Sequence, residues 1–147
     1  MEERNILCID LKSFFASVEC VERNLDPFTT PLIVADPSRK GGAITLAVTP
    51  YMKTLGVPSR GRVFEIPKGI KYITATPRMS LYVKKSKEVI NCFLDFVSKE
   101  DMHVYSIDEA FLDVTDYLEL YKMDDVTLAK NIMARIKEKT GLTSTCG

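Results

Sequence analysis

Apolar positions along the chain switch between two periods. Ile6, Leu7, Cys8 and Ile9 make a short apolar run that ends on Asp10, so a strand is expected from Asn5 to Asp10. Phe14, Val18, Val21 and Leu25 then recur at helical spacing behind Ser13, a fitting N-cap, and Asp26-Pro27 ends that helix. Leu32 to Ala35 is a short strand, residues 36–42 a loop, and Ala43 to Val48 a second apolar strand. Pro50 suits the first turn of a short helix and Gly56 its C-terminal cap. Residues 59–62 form a basic loop, and Tyr72 to Ala75 is a strand that returns the chain to its first lobe.

The longest helix is expected from about Pro77 to Ser98. Met79, Tyr82, Val83, Ser86, Val89, Ile90, Phe93, Leu94 and Val97 share one face, and Lys84, Lys85, Lys87, Glu88, Asn91 and Asp95 the other. Val104, Tyr105 and Ile107 precede the acids Asp108 and Glu109, and Phe111, Leu112 and Val114 follow them, which reads as a strand pair. A further helix runs from near Asp124 to Gly141, with Ala129, Ile132, Met133 and Ile136 inward, and Leu142 to Cys146 opens another strand. With residues 11–77 set aside, the order is βαββαβ, a ferredoxin-like arrangement. The fold class is therefore α+β, with a small α/β lobe inserted between the first strand and the first helix of the core.

Composition narrows the class without naming an activity. The 147 residues are 46% hydrophobic, enough for a core, and no apolar run reaches the roughly 18 residues of a membrane span. Met-Glu-Glu-Arg before a short strand is no secretory leader. Cys8, Cys20, Cys92 and Cys146 lack a Cys-x-x-Cys spacing, which speaks against zinc and for reduced thiols in a cytoplasmic protein. Net charge is zero but unevenly spread. Residues 37–87 hold 11 lysines and arginines against one acid, Glu65, while the rest hold 9 basic and 19 acidic groups. A basic stretch between acidic ones suits a protein that offers one face to a polyanion; a patchy solvated surface is the plainer alternative.

The acids carry the candidate chemistry. Asp108 and Glu109 interrupt an apolar strand pair, and at a hairpin tip or bulge both converge on one point. Taken alone they read rather as ordinary turn residues in water. Asp10 ends a buried strand where the backbone turns, and the three carboxylates together could hold two divalent cations for an in-line phosphoryl displacement.

The segments Ile9-Asp10-Leu11-Lys12-Ser13-Phe14-Phe15-Ala16-Ser17-Val18-Glu19 and Ser106-Ile107-Asp108-Glu109-Ala110-Phe111-Leu112-Asp113 resemble the two metal-binding motifs of Y-family translesion DNA polymerases. The Lys-Ser-Phe-Phe variant resembles the UV-damage-repair branch of that family in Gram-positive bacteria and their phages. The resemblance implies a palm over residues 1–13 and 78–147 and fingers over 14–77. It implies template-directed DNA synthesis past damaged bases within an SOS response. Asp10 and Asp108 would bridge two Mg²⁺ ions, for which Mn²⁺ can substitute, while Glu109 would complete the first ion's site and the Leu11 carbonyl the second's.

The same resemblance places Phe14 and Phe15 at the nucleotide, with Phe15 as a steric gate against the 2′-hydroxyl. Phe14 also reads as a core aromatic. Lys53 falls where the family holds the β- and γ-phosphates. Pro50 stands where better-known branches often carry a phosphate-binding tyrosine, and Tyr51 is its neighbour. Lys12 replaces a common acid and could approach the triphosphate or pair with a carboxylate. Ile44 and Leu46 lie where the family roofs the templating base pair. Arg39, Lys40, Arg60 and Arg62 suit DNA phosphates, and His103 suits a strand position without a catalytic part.

Family members run well past this length, through a second triphosphate lysine, a thumb and a little finger. The chain thus reads as the amino-terminal, catalytic-carboxylate piece of a polymerase, inactive alone. Its partners would be primer-template DNA and an incoming deoxynucleotide, with a sliding clamp reached through regions outside it. The alternative is a non-catalytic accessory protein that keeps the fold and binds DNA or a polymerase.

Overall fold

The structure, a computed structural model, describes residues 4–147, apart from the side chains of residues 39–41. The chain divides into two compact units, one of Met1–Leu11 with Val83–Gly147 and one of Lys12–Tyr82.

The first unit is built on four strands: β1 (Ile6–Leu11), β5 (Met102–Ser106), β6 (Glu109–Asp113) and β7 (Ser144–Cys146). Their order is β5-β6-β1-β7 and every pairing is antiparallel, as a ferredoxin-like βαββαβ sheet requires. Alternation sorts the side chains. Leu7, Ile9 and Leu11 of β1 and Ala110 and Leu112 of β6 are buried on one face, while Cys8, Asp10, Glu109, Phe111 and Asp113 share the other.

The buried face is covered by two helices of 16 residues, α3 (Met79–Leu94) and α5 (Asp125–Thr140). On α5 the buried positions Leu128, Ala129, Ile132 and Ile136 follow the helical period. Asp124 accepts a hydrogen bond from the Thr127 amide to start it, and Gly141, at φ 77°, ends it in the left-handed conformation. On α3, Val89, Cys92 and Phe93 are buried.

The second unit carries α1 (Phe14–Glu22), β2 (Leu32–Val34), β3 (Ala47–Val48), α2 (Pro50–Thr54) and β4 (Ile73–Ala75). Its sheet has the order β3-β2-β4, antiparallel on one side of β2 and parallel on the other. Ile33, Ala35, Ala43, Val48, Met52, Val57 and Ile66 form its apolar core. Thr49 caps α2 through a bond from the Met52 amide, with Pro50 in the first turn.

Several elements differ from the expectation. The strand over Ala43–Val48 shrinks to Ala47–Val48, because residues 43–45 pair instead with an irregular loop. Thr45 and Gly61 exchange hydrogen bonds there, the Val63 amide donates to the Ala43 carbonyl, and Ile44 forms an isolated bridge with Arg62. Of the strand expected over Tyr72–Ala75, Ile73–Ala75 forms β4 in the second unit's sheet, and it does not join the first unit's. The helix expected over 77–98 stops at Leu94. Ser13 precedes α1 as expected, but its backbone is left-handed at φ 46° and its hydroxyl makes no capping bond; Ser17 Oγ instead donates to the Lys12 carbonyl at 2.7 Å.

One helix was not foreseen, α4 (Thr115–Tyr121). It has no buried residue and therefore no apolar stripe to read. It is held through polar tips: Tyr117 Oη donates to Asp101 Oδ2 at 2.7 Å and Tyr121 Oη to the Phe96 carbonyl. No helix of the described residues is long and apolar enough to cross a membrane.

Candidate active site

The carboxylates of the first unit are gathered by strand register. Asp10 at the end of β1 lies directly opposite Glu109 at the start of β6. Cross-strand partners have Cβ atoms about 5 Å apart, and like charges placed so repel. Ile107 and Asp108 form the two-residue turn between β5 and β6, so Asp108 stands one residue before that pair. The Leu11 amide donates to the Asp108 carbonyl at 2.9 Å and ties the turn to the end of β1. A register shift between Val104 and Ser106 marks a bulge on β5 beside the turn.

The carboxylates of the turn meet neutral donors. Ser106 Oγ donates to Asp108 Oδ1 at 2.9 Å, and the Cys8 thiol to Glu109 Oε1 at 3.3 Å. Burial first, then the bond to Glu109 and its charge, push the Cys8 thiol above its ordinary value, so it stays a protonated donor. Among the described residues no three His, Cys, Asp or Glu side chains are arranged as a ready-made metal cage. The donor set nevertheless fits hard divalent cations: three carboxylates and a backbone carbonyl at one end of a sheet, with a repulsive pair at its centre.

Phe111 lies on the same sheet face, with the Tyr105 ring edge-on to it at 5.9 Å and the His103 ring at 6.4 Å. His103 is an exposed residue of β5.

The second unit holds the other residues singled out in the sequence. Phe14 is buried, and Phe15, half-buried on α1, stacks on Tyr82 with ring centroids 4.5 Å apart and planes 18° apart. Tyr51 is half-buried and Lys53 exposed on α2. Lys12, Ile44 and Leu46 are exposed. Arg60 is an exposed cation, while Arg62, also exposed, has its guanidinium engaged with the Gly42 carbonyl at 2.7 Å. The side chains of Arg39 and Lys40 lie outside the described residues.

Sequence reasoning missed the partners of Glu19. This carboxylate is fully buried on α1 and accepts from Tyr82 Oη at 2.6 Å, from Arg23 Nη1 at 2.6 Å and from the Arg78 guanidinium. Burial pushes the Glu19 carboxyl up, but the bonds from Arg78, Tyr82 and Arg23 outweigh it and leave it below its ordinary 4.5. An acid between Val18 and Cys20 in an apolar helical run was the available signal. Tyr82 joins the network to Phe15, since its hydroxyl holds Glu19 while its ring lies on the Phe15 ring.

The chain is similar to DNA repair proteins and polymerases. Residues 9–147 match the family model described as the impB/mucB/samB family. The chain is 37% identical over 145 residues to the putative UV-damage repair protein UvrX of Bacillus subtilis, covering 98% of this chain and 33% of that one. It is 39% identical to the DNA repair protein homolog YozK of the same organism, covering 71% of this chain and 91% of that one. DNA polymerase IV 2 of Bacillus subtilis is 32% identical, with 35% of its length matched. The chain thus spans about a third of UvrX and of the polymerase. Among solved structures, a Y-family DNA polymerase chimera superposes with a TM-score of 0.84 at 28% identity, over 97% of this chain and 41% of that one. DinB from Sulfolobus solfataricus gives 0.79 at the same identity and coverage. By a family model that spans nearly its whole length and by these relatives, the chain belongs to the impB/mucB/samB family of Y-family DNA polymerases.

Proposed function

We propose that this chain is the catalytic-carboxylate part of a polymerase that copies DNA past damaged template bases. The observation that carries the reading is the placement of Asp10 opposite Glu109, with Asp108 on the adjoining turn. Such a cluster is stable and useful when cations neutralise it. Asp10 and Asp108 would hold two Mg²⁺ or Mn²⁺ ions, Glu109 would complete one site and the Leu11 carbonyl the other. When bound, the ions supply charge at the α-phosphate and make the primer 3′-hydroxyl easier to deprotonate.

The remaining roles follow from side-chain chemistry and family membership. The Phe15 ring, braced by Tyr82, would lie under the sugar and leave no room for a 2′-hydroxyl, with Phe14 packed behind it. Lys53 supplies a point charge for the β- and γ-phosphates, with Tyr51 on the same helix. Arg39, Lys40, Arg60 and Arg62 would contact DNA phosphates, which position a duplex without reading its sequence. On this reading residues 1–13 and 78–147 act as the palm and 14–77 as the fingers, in a cytoplasmic enzyme of the SOS response. A related solved structure, an insertion ternary complex of Dbh DNA polymerase, supports DNA and a nucleotide as partners. A sliding clamp would be met outside these residues.

Duplex affinity is built from many phosphate contacts, and a chain spanning a third of its polymerase relatives offers few. Primer extension at low salt with Mn²⁺ tests the reading. No extension is expected from these 147 residues. Extension is expected from a protein of the relatives' length that carries them, and it should vanish in Asp108→Ala. Unchanged extension by Asp108→Ala in that longer protein would overturn the carboxylate assignment. A second reading, a non-catalytic accessory protein, is favoured by YozK, a repair-protein homolog matched over 91% of its length. Absence of extension by the longer protein would support it.

A further inference from the structure

Ser86 is a polar residue in the buried part of α3, only 8% exposed. A serine inside a helix usually bonds back to its own helix four residues earlier. Ser86 does otherwise: its hydroxyl donates to the Ile107 carbonyl at 2.6 Å, 21 residues along the chain. That carbonyl belongs to the turn that carries Asp108. The next carbonyl, of Asp108 itself, is taken by the Leu11 amide at 2.9 Å. Successive carbonyls of the turn are thus held from two directions, by a helix beneath it and by the strand beside it.

The turn needs such support. Two-residue hairpins whose twist matches their strands have a positive φ at one or both central positions. Neither Ile107 nor Asp108 has one, and the strand register shifts beside them. The space between the turn and α3 is lined mainly by apolar residues, among them Ile9, Leu11, Val89 and Phe93, with Ser106, Asp108 and Glu109 also on its wall, so a carbonyl that lost its donor there would face mostly apolar side chains.

We propose that Ser86 is a positioning residue: by holding the Ile107 carbonyl it fixes the turn that aims Asp108 and Glu109 at a divalent cation. The inference rests on those carboxylates being cation ligands. It predicts that the hydroxyl, rather than the volume of the side chain, governs cation affinity. Groups that orient metal ligands from outside the coordination shell typically change affinity by about 10–100-fold when removed.

The test uses this chain, Mn²⁺ alone as the probe, and water-proton relaxation as the binding readout, with amide exchange in parallel. Ser86→Ala is expected to weaken Mn²⁺ binding about tenfold, while Ser86→Thr, which keeps the hydroxyl, stays within about twofold of wild type. In Ser86→Ala the Leu11 amide, whose acceptor is Asp108, should exchange about tenfold faster, as loss of one buried hydrogen bond allows. The Ile132 amide of α5 should keep its protection. Wild-type affinity in Ser86→Ala would overturn the proposal, and so would equal loss of protection at Leu11 and Ile132, which would make Ser86 merely structural. If wild type and Asp108→Ala bind Mn²⁺ alike, the carboxylate reading itself fails and the inference falls with it.

Discussion

Glu19 and Glu109 are both glutamates set in apolar stretches, and their surroundings differ in kind. Glu19, in the second unit, is sealed from solvent and met by two guanidinium groups and a phenol. Glu109, in the first, is half-exposed, faces Asp10 across the strand pair and receives a thiol. The chain supplies the counter-charge for the first acid from its own arginines. For the second it supplies another acid. A carboxylate balanced within the protein stabilises the fold. A repulsive pair reaching solvent at a sheet end costs stability, and on the proposed function it is kept to hold a cation.

The largest effect is therefore expected at Glu19. Glu19→Ala leaves Arg78, Arg23 and Tyr82 without their shared acceptor. It should cost about 3 kcal/mol in urea unfolding, the low end for a broken buried pair because both guanidinium groups reach solvent. The same network predicts a pH response. Because the folded-state pKa of Glu19 lies below its ordinary 4.5, its contribution is fully present above that value. It is lost as pH falls through the depressed value. Acid titration of the urea midpoint should show this loss in wild type, and Glu19→Gln should flatten it.

Phe15→Ala comes next. In a protein of the polymerase relatives' length, it should relax discrimination against ribonucleotides by about a hundredfold, a usual limit for a pocket that rejects an added hydroxyl. Incorporation assays with paired deoxy- and ribonucleotides measure it; undiminished discrimination would make Phe15 a packing residue alone. Tyr82→Phe should be milder. It keeps the ring on Phe15 but loses the bond to Glu19, about 1 kcal/mol in urea unfolding, with sugar discrimination retained.

Much of this was legible in the sequence where one rule acts alone. Alternation in Leu7-Cys8-Ile9-Asp10 separates a core face from an open one, and that alone puts Cys8 and Asp10 on the same side. Asp124 and Gly141 bracket α5 as its expected ends foretold, because caps are local chemistry. The βαββαβ order could be read because apolar periods and turn residues agree there. What escaped was set by distant partners. The strand expected over 43–48 is confined to Ala47–Val48, because Gly61 and Val63 capture Thr45 and Ala43. Arg78 lies 59 residues from Glu19, and no period of the chain announces their pairing. Ser86 sits on the apolar stripe of α3 as an apparent minor flaw in it, and only the fold reveals the carbonyl it serves.

The smallest change in stability tests the contrast most directly. Calorimetric melting of wild type and Glu109→Gln, each with and without Mn²⁺, measures the price of the Asp10–Glu109 pair and its remedy together. Without metal, Glu109→Gln should melt about 1–2 °C above wild type, since relieving one like-charge pair is worth a few tenths of a kcal/mol. Saturating Mn²⁺ should raise the wild-type midpoint, as any ligand of the folded state does, and raise the variant's by less, since Asp10 and Asp108 remain but one site is incomplete. A wild type indifferent to Mn²⁺, or a variant that responds equally, would contradict the account.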